Sequence, residues 1–318
     1  MIRKLLIANR GEIALRILRA CRELDIDTVA VYSEADRDQM HVKMADESIC
    51  IGPAAPNKSY LNIPAIISSM ELSGADGVHP GYGFLAENGD FAEQVEKSGF
   101  QFAGPSSDVI RIMGNKITAK KFAREVGLPI LPDSNGPVSS NSKNLAEEIG
   151  YPIIIKAAAG GGGRGMRIVK SEEELENKLE ITKSEAMAAF GDSTIYLEKY
   201  LLQPRHIEVQ VLSDRFGNFL HLGDRDCSMQ RRHQKVIEEA PAIGIPLEIK
   251  EEIFLKCLDA CKQLQYVGAG TFEFLYEDEK FYFIEMNTRL QVEHTVTESI
   301  TGLDIVKLQL RIARNEEL

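Results

Sequence analysis

Ile153-Ile154-Ile155-Lys156-Ala157-Ala158-Ala159-Gly160-Gly161-Gly162-Gly163-Arg164-Gly165-Met166-Arg167-Ile168-Val169 is an apolar strand, a lysine, four consecutive glycines and a second strand. Four glycines in a row carry a heavy chain-entropy cost, so the backbone there has to approach something closely. Successive N–H groups in such a loop cradle phosphate oxygens. This is not a Walker A loop, because no Gly-Lys-Ser/Thr closes it and a strand rather than a helix follows. The order strand, lysine, glycine flap, strand describes a hairpin lid over a nucleotide, with Lys156 and Arg164 suited to a triphosphate. A plain surface hairpin is the alternative, and the two flanking cations weaken it.

A partner for that loop lies downstream. Thr271-Phe272-Glu273-Phe274-Leu275-Tyr276 and Phe281-Tyr282-Phe283-Ile284-Glu285-Met286-Asn287 read as two strands of a hairpin around Glu277–Lys280. Glu285 and Asn287 are two apart and project from one face. Glu273 joins them only if odd positions pair with odd, which a three- or five-residue turn permits and a two- or four-residue turn does not. Two carboxylates and an amide converging there suit Mg²⁺, which takes oxygen ligands and bridges substrate phosphates. The alternative is a solvent-facing strand edge, since a carboxylate among aromatic residues is costly to bury without a partner.

Cations gather in two further segments. Arg225-Asp226-Cys227-Ser228-Met229-Gln230-Arg231-Arg232-His233-Gln234-Lys235 is one, and Asn287-Thr288-Arg289-Leu290-Gln291-Val292-Glu293-His294 is the other. A basic pocket beside a metal–nucleotide site holds a small anion for phosphorylation. Lys235 and Arg289 are its candidate cations, and Glu293 is a candidate general base. For Arg231 and Arg232, ion pairing with surface acids is an equally good reading. Arg205-His206-Ile207-Glu208-Val209-Gln210-Val211 alternates polar with apolar, which puts His206 on the polar side, where a ligand would lie. His41, His79, His221 and His294 gain no role from their spacing.

The bulk numbers agree with an enzyme. At about 150 residues per domain, 318 residues make two or three compact units. With 48 acidic against 37 basic residues the net charge is −11. A general nucleic-acid binder needs a basic footprint. No run reaches the roughly 18–20 apolar residues of a membrane span. The basic N-terminus has an apolar core too short for a signal peptide and reads as a first strand, so the expected location is the cytosol. The five cysteines form no Cys-x-x-Cys pair and no Cys/His metal spacing, and they read as packing residues.

Along the first hundred residues, strand and helix alternate. Lys4–Ala8, Thr28–Tyr32, Gly77–His79 and Phe100–Ala103 are the strands, with helices from Ile13, over Ile63–Leu72 and over Phe91–Lys97. This βαβ order predicts a Rossmann-like parallel sheet with helices on both faces. Dinucleotide binding is not expected, because G-x-G-x-x-G is absent and only Gly11 stands at the first turn. A helix follows from Lys116 to Val126, and the turn-rich residues 132–143 mark a boundary.

Taken together, these motifs resemble the biotin carboxylases of the ATP-grasp superfamily. The likeness runs from Ile7-Ala8-Asn9-Arg10-Gly11-Glu12 to the last helix and includes His79-Pro80-Gly81-Tyr82-Gly83-Phe84-Leu85 and Lys156 through Arg167. The resemblance implies an α/β chain with an N-terminal biotin-carboxylase domain over 1–114. An ATP-grasp fold follows over 115–318, carrying a small glycine-loop lid over about 131–201.

The family uses bicarbonate, ATP and Mg²⁺ or Mn²⁺ (two ions) to carboxylate biotin on a carrier-protein lysine, the first half-reaction of acetyl-CoA carboxylase and related enzymes. By motif position Lys116, Lys156, Gly162 and Gly163 contact ATP phosphates, and Glu198, Lys199, Tyr200 and Leu201 form the adenine hinge. His206, Gln230 and His233 lie near ribose and phosphates. Glu273, Glu285 and Asn287 hold the metal, the first two also counting as ATP-site residues. Lys235, Arg289, Gln291 and Val292 bind bicarbonate, and Glu293 deprotonates it. Lys235, Arg289 and Glu293 are thus the catalytic set.

The implied partners are a biotin carboxyl carrier protein and carboxyltransferase subunits, with a homodimer at full length. Thr295 stands where acetyl-CoA carboxylase members usually have proline and pyruvate carboxylases often have threonine. Family members continue past the position of Leu318 by roughly another domain, about 100–150 residues, which carries a biotin-binding arginine. A loss at the biotin step is the corresponding expectation.

Overall fold

Lys4-Leu5-Leu6-Ile7 forms β1 (Lys4–Ile7), and Leu5, Leu6 and Ile7 are all buried. A strand covered on both faces has to be apolar throughout, which is the signature of a parallel sheet under two layers of helix. The computed structural model describes residues 2–138, 141–157, 165–232 and 234–318. β1, β2 (Asp27–Ser33), β3 (Glu47–Gly52), β4 (Gly77–His79) and β5 (Gln101–Phe102) pair in parallel in the order β3-β2-β1-β4-β5. Helices Gly11–Glu23, Ile63–Ser73 and Gly89–Lys97 make the crossovers. Several elements escaped the sequence reading, among them helices Met40–Met44 and Ser142–Ile149, and two matter for the architecture. β3 is a half-exposed edge strand with little alternation, and helix Ser107–Gly114 runs directly into helix Lys116–Glu125, with Asn115 between them.

The chain divides into two compact units, Met1–Leu128 with Arg205–Leu318, and Pro129–Pro204. In the second unit β6 (Ile153–Ala157), β7 (Met166–Val169) and β8 (Ile195–Lys199) form an antiparallel sheet in the order β7-β6-β8. Helix Glu172–Phe190 packs Leu175 and Leu179 against Ile153, Ile155 and Leu197. The glycine loop falls on residues outside the described ones, so Gly162 and Gly163 are not placed; the same holds for His233.

The first unit carries a second sheet, wholly antiparallel, in the order β11-β10-β9-β12-β13. Its strands are β9 (Arg205–Ser213), β10 (Phe219–Arg231), β11 (Gln234–Glu239), β12 (Gly268–Glu277) and β13 (Lys280–Asn287). Leu212, Ala269, Leu290, Ile305, Val306 and Leu310 join Ile2, Leu5, Ile7 and Ile17 in one apolar cluster, which ties this sheet to the N-terminal one. Among the described residues no helix is long and apolar enough to cross a membrane.

Candidate active site

Register across the antiparallel sheet lines up four charged residues. Arg225 on β10 faces Glu208 on β9, Glu208 faces Glu273 on β12, and Glu273 faces Glu285 on β13. Like charges directly opposite each other destabilise a sheet, so three adjacent glutamates demand cations. The structure supplies several. Arg225, fully buried, donates from Nη2 to Glu208 Oε2 at 2.9 Å and from Nε to the same oxygen at 3.2 Å. Lys235 reaches over from β11 and its Nζ donates to Glu208, to Glu273 Oε1 at 3.0 Å and to Glu293 Oε1 at 2.5 Å. His206 Nε2 lies 3.0 Å from Glu273 Oε2 and 3.3 Å from Glu208 Oε1, off the line of a straight hydrogen bond to either.

Proton affinities follow from this crowding. Burial alone would strip the proton from His206, but its contacts with Glu208 and then Glu273 outweigh burial and push it up to about 9. Burial likewise opposes the charge on Lys235, and the fields of Glu208 and Glu273 with the bonds to Glu208 and Glu293 raise it above the usual lysine value. Glu208 is held low, since His206, Arg225 and Lys235 together overcome its desolvation. Glu285 is the exception. Burial first, and Glu273 second, raise its carboxyl, with Lys116 only partly offsetting them. The Glu285 end of the row is short of positive charge.

The hairpin reaches this register by a route the turn rule did not foresee. β12 and β13 are joined by the two-residue turn Asp278-Glu279, both at positive φ, with Glu277 opposite Lys280. Two-residue hairpins favour that conformation, but it pairs odd positions with even. A bulge then shifts the register between Glu273 and Phe274, leaving Ile284 as the extra residue, and odd meets odd from Glu273–Glu285 onward. The expectation that a two-residue turn would keep Glu273 from Glu285 and Asn287 is therefore corrected: Asn287 Nδ2 donates to Glu273 Oε1 at 2.7 Å.

The loop after β13 closes the site. Gln291 Nε2 donates to Glu273 Oε1 at 2.8 Å while its Oε1 accepts from Arg225 Nη2 at 2.8 Å. An arginine only donates, so Arg225 fixes which end of that amide faces the carboxylates. Arg289 donates from Nη2 to Asn287 Oδ1 at 2.9 Å, and Val292 is exposed. Gln230 is exposed, pairs with Lys235 across the β10–β11 hairpin and donates to the Cys227 carbonyl at 2.9 Å. Arg231 and Arg232 are also exposed. Lys116 begins the helix Lys116–Glu125, whose N-terminus Asn115 caps by accepting from Ile117 N and Thr118 N.

In the second unit Lys156 on β6 ion-pairs with the buried Glu198 on β8. Lys199 donates to the carbonyls of Gly150 and Tyr151 at 2.8 and 3.0 Å, Tyr200 N donates to the Pro152 carbonyl at 3.1 Å, and Leu201 is half-buried.

Sequence reasoning passed over Arg225, Glu208 and Glu87 as site residues. The polar period of β9 that exposes His206 also points to Glu208 and Gln210. Nothing local marks Glu87, which meets Arg289 across 202 residues.

Carboxylates, a triply paired lysine and an arginine-bearing loop gather on the antiparallel sheet, and the comparisons with known proteins give the class as an ATP-grasp ligase. Residues 1–110 match the family model "Biotin carboxylase, N-terminal domain", and 115–318 match "Carbamoyl-phosphate synthase L chain, ATP binding domain". The chain is 64% identical to the biotin carboxylase of Haemophilus influenzae over 98% of this chain and 70% of that one. A solved biotin carboxylase–β,γ-ATP complex from Campylobacter jejuni superposes with a TM-score of 0.91 at 52% identity, covering 100% of this chain and 72% of that one. The biotin carboxylase domain of Hydrogenobacter thermophilus 2-oxoglutarate carboxylase, solved as a dimer with MgADP, ADP and bicarbonate, gives 0.89 at 50% identity over 100% and 71%. This chain belongs to the biotin carboxylase family and is a ligase of the ATP-grasp class.

Proposed function

We propose that the charged face of the antiparallel sheet phosphorylates bicarbonate with ATP and so drives the carboxylation of biotin on a carrier protein. The observation that carries this reading is Lys235, bonded at once to Glu208, Glu273 and Glu293, where Glu273 also accepts from Gln291 and from Asn287, the amide that Arg289 holds. An anion pocket thus abuts carboxylates suited to a metal.

The donor set fits Mg²⁺ or Mn²⁺. Glu273, Glu285 and Asn287 offer oxygens, and the carboxyl of Glu285, raised first by burial and then by the facing Glu273, sits where a divalent ion would favour its charged form. Such an ion, when bound, neutralises phosphate charge. Lys235, Arg289, Gln291 and the backbone at Val292 would hold bicarbonate. Glu293 would take its proton, and the carboxylate oxygen would attack the γ-phosphorus as ADP leaves. Carboxyphosphate breaks down to CO₂ and phosphate; the phosphate removes the biotin ureido proton and the nitrogen adds to CO₂.

Lys116, His206, Gln230, His233, Lys156, Gly162, Gly163 and the 198–201 segment are the residues proposed for ATP by motif. A biotin carboxyl carrier protein, a carboxyltransferase, dimer formation and a cytoplasmic setting complete the proposal. The relatives named above include a 2-oxoglutarate carboxylase domain, so the acceptor beyond biotin is left to the carboxyltransferase. The test is phosphate release from MgATP with and without bicarbonate, then with free biotin. Bicarbonate-dependent release is expected. Release indifferent to bicarbonate contradicts the reading.

A further inference from the structure

Arg289 is held on three sides. Its Nε donates to Glu87 Oε2 at 2.7 Å, Nη1 to the Leu290 carbonyl at 3.2 Å and Nη2 to Asn287 Oδ1 at 2.9 Å. Of the five guanidinium N–H groups, one on each terminal nitrogen remains for a planar anion. Glu87 makes the charged contact among the three, and its other oxygen accepts from Thr288 N at 3.3 Å. One carboxylate therefore grips both the side chain and the backbone of the Asn287–Glu293 loop.

Glu87 itself stands on a fixed support. It lies in the turn after β4, where Ala86 N donates to the Gly83 carbonyl at 2.9 Å and Asn88 N to that of Leu85 at 3.1 Å. Leu85 and Ala86 on one side are buried, and Asn88 on the other caps helix Gly89–Lys97 by accepting from Phe91 N at 2.9 Å. The parallel sheet thereby sets the position of a cation that belongs to the antiparallel sheet.

We propose that Glu87 is a positioning residue of the anion pocket: by clamping Arg289 at Nε and Thr288 at its N–H, it presents the terminal guanidinium nitrogens to bicarbonate. This inference rests on the reading of Arg289 as a bicarbonate ligand. Glu87 is partly exposed, so Glu87→Gln and Glu87→Ala are expected to fold, which circular dichroism checks.

The experiment measures initial rates of bicarbonate-dependent ATP cleavage, varying each substrate. Charged pairs at such exposure have modest strength, so Glu87→Ala is expected to raise the KM for bicarbonate about 3- to 5-fold. A neutral acceptor bonds roughly half as strongly as a charged one, which places Glu87→Gln between Ala and the parent. Among the described residues the hydrogen bonds of Glu87 go to Thr288 and Arg289, neither assigned to the nucleotide, so the KM for ATP should move less than about twofold in either variant. A purely structural role would shift both constants together, and that result, or an unchanged bicarbonate KM in both variants, overturns the inference. ATP cleavage by the unsubstituted chain that ignores bicarbonate overturns instead the anion-site reading beneath it, and the inference with it.

Discussion

β1 of the parallel sheet buries Leu5, Leu6 and Ile7 without a charge among them, whereas β9 of the antiparallel sheet, also largely buried, alternates Ile207, Val209 and Val211 with His206, Glu208 and Gln210. Both sheets have five strands and share an apolar cluster. They differ in what their second face does. Residues 5–7 of β1 are covered on both sides and leave no place for a charge. The antiparallel sheet gives one face to the core and lines the other with a row of charges that must neutralise itself. The first sheet is held by packing on both faces, whereas the second adds a row of buried ion pairs to one packed face.

That contrast can be broken by substitution. Glu293→Gln removes the proposed base while leaving a side chain of the same shape to meet Lys235. A positioned general base contributes about 10²–10⁴-fold, so the rate of bicarbonate-dependent ATP cleavage should fall by that order with the unfolding midpoint little changed. Arg225→Met replaces a buried cation by an apolar side chain of similar length. It should lower the unfolding free energy by about 3–5 kcal/mol, the range for breaking a buried pair, read from urea denaturation. Leu6→Met is the matching change in the parallel sheet, and a volume-conserving swap there should cost less than about 1.5 kcal/mol. Equal costs for the two would erase the distinction between the sheets.

The pH profile sharpens it further. His206 is raised from 6.5 to about 9, so the folded state holds its proton more tightly than the unfolded chain does. The stability this contributes is fully present below pH 6.5 and is lost as pH rises through about 9. Urea midpoints of the metal-free chain should accordingly fall between pH 6 and 9.5, and His206→Gln should flatten that part of the profile. The smallest effect is expected at the far end of the row. Glu285→Gln removes one of two facing carboxylates, so it should weaken Mn²⁺ binding, read by titration calorimetry, while leaving the metal-free chain as stable or slightly more so. A clear loss of metal-free stability would show that Glu285 already has the positive partner it is inferred to lack.

Much of this layout was legible beforehand, for physical reasons. Strand period two fixes which side chains share a face, so Glu285 with Asn287 and the polar side of β9 could be read directly. Apolar runs of four or five residues between helical periods gave the parallel sheet. What stayed hidden depends on register and distance. The bulge at Ile284 has no local mark in Phe283-Ile284-Glu285, yet without it Glu273 would turn away from Glu285. Arg225 was visible as one cation in a basic run, but its burial and its bonds to Glu208, Gln210, Thr271, Gln291 and Thr297 draw on four separate segments. Glu87 meets Arg289 only because the two sheets pack together.

The central proposed step is attack by bicarbonate, rather than water, on the γ-phosphorus of ATP at the charged face. Supplying bicarbonate labelled with ¹⁸O and recovering the released phosphate tests that step directly. Attack by bicarbonate leaves its bridging oxygen on phosphorus when carboxyphosphate loses CO₂, so one labelled oxygen per released phosphate is the predicted result. Phosphate carrying no label, at a rate equal to that without bicarbonate, would show that water is the nucleophile and would contradict the assignment of Lys235, Arg289 and Glu293.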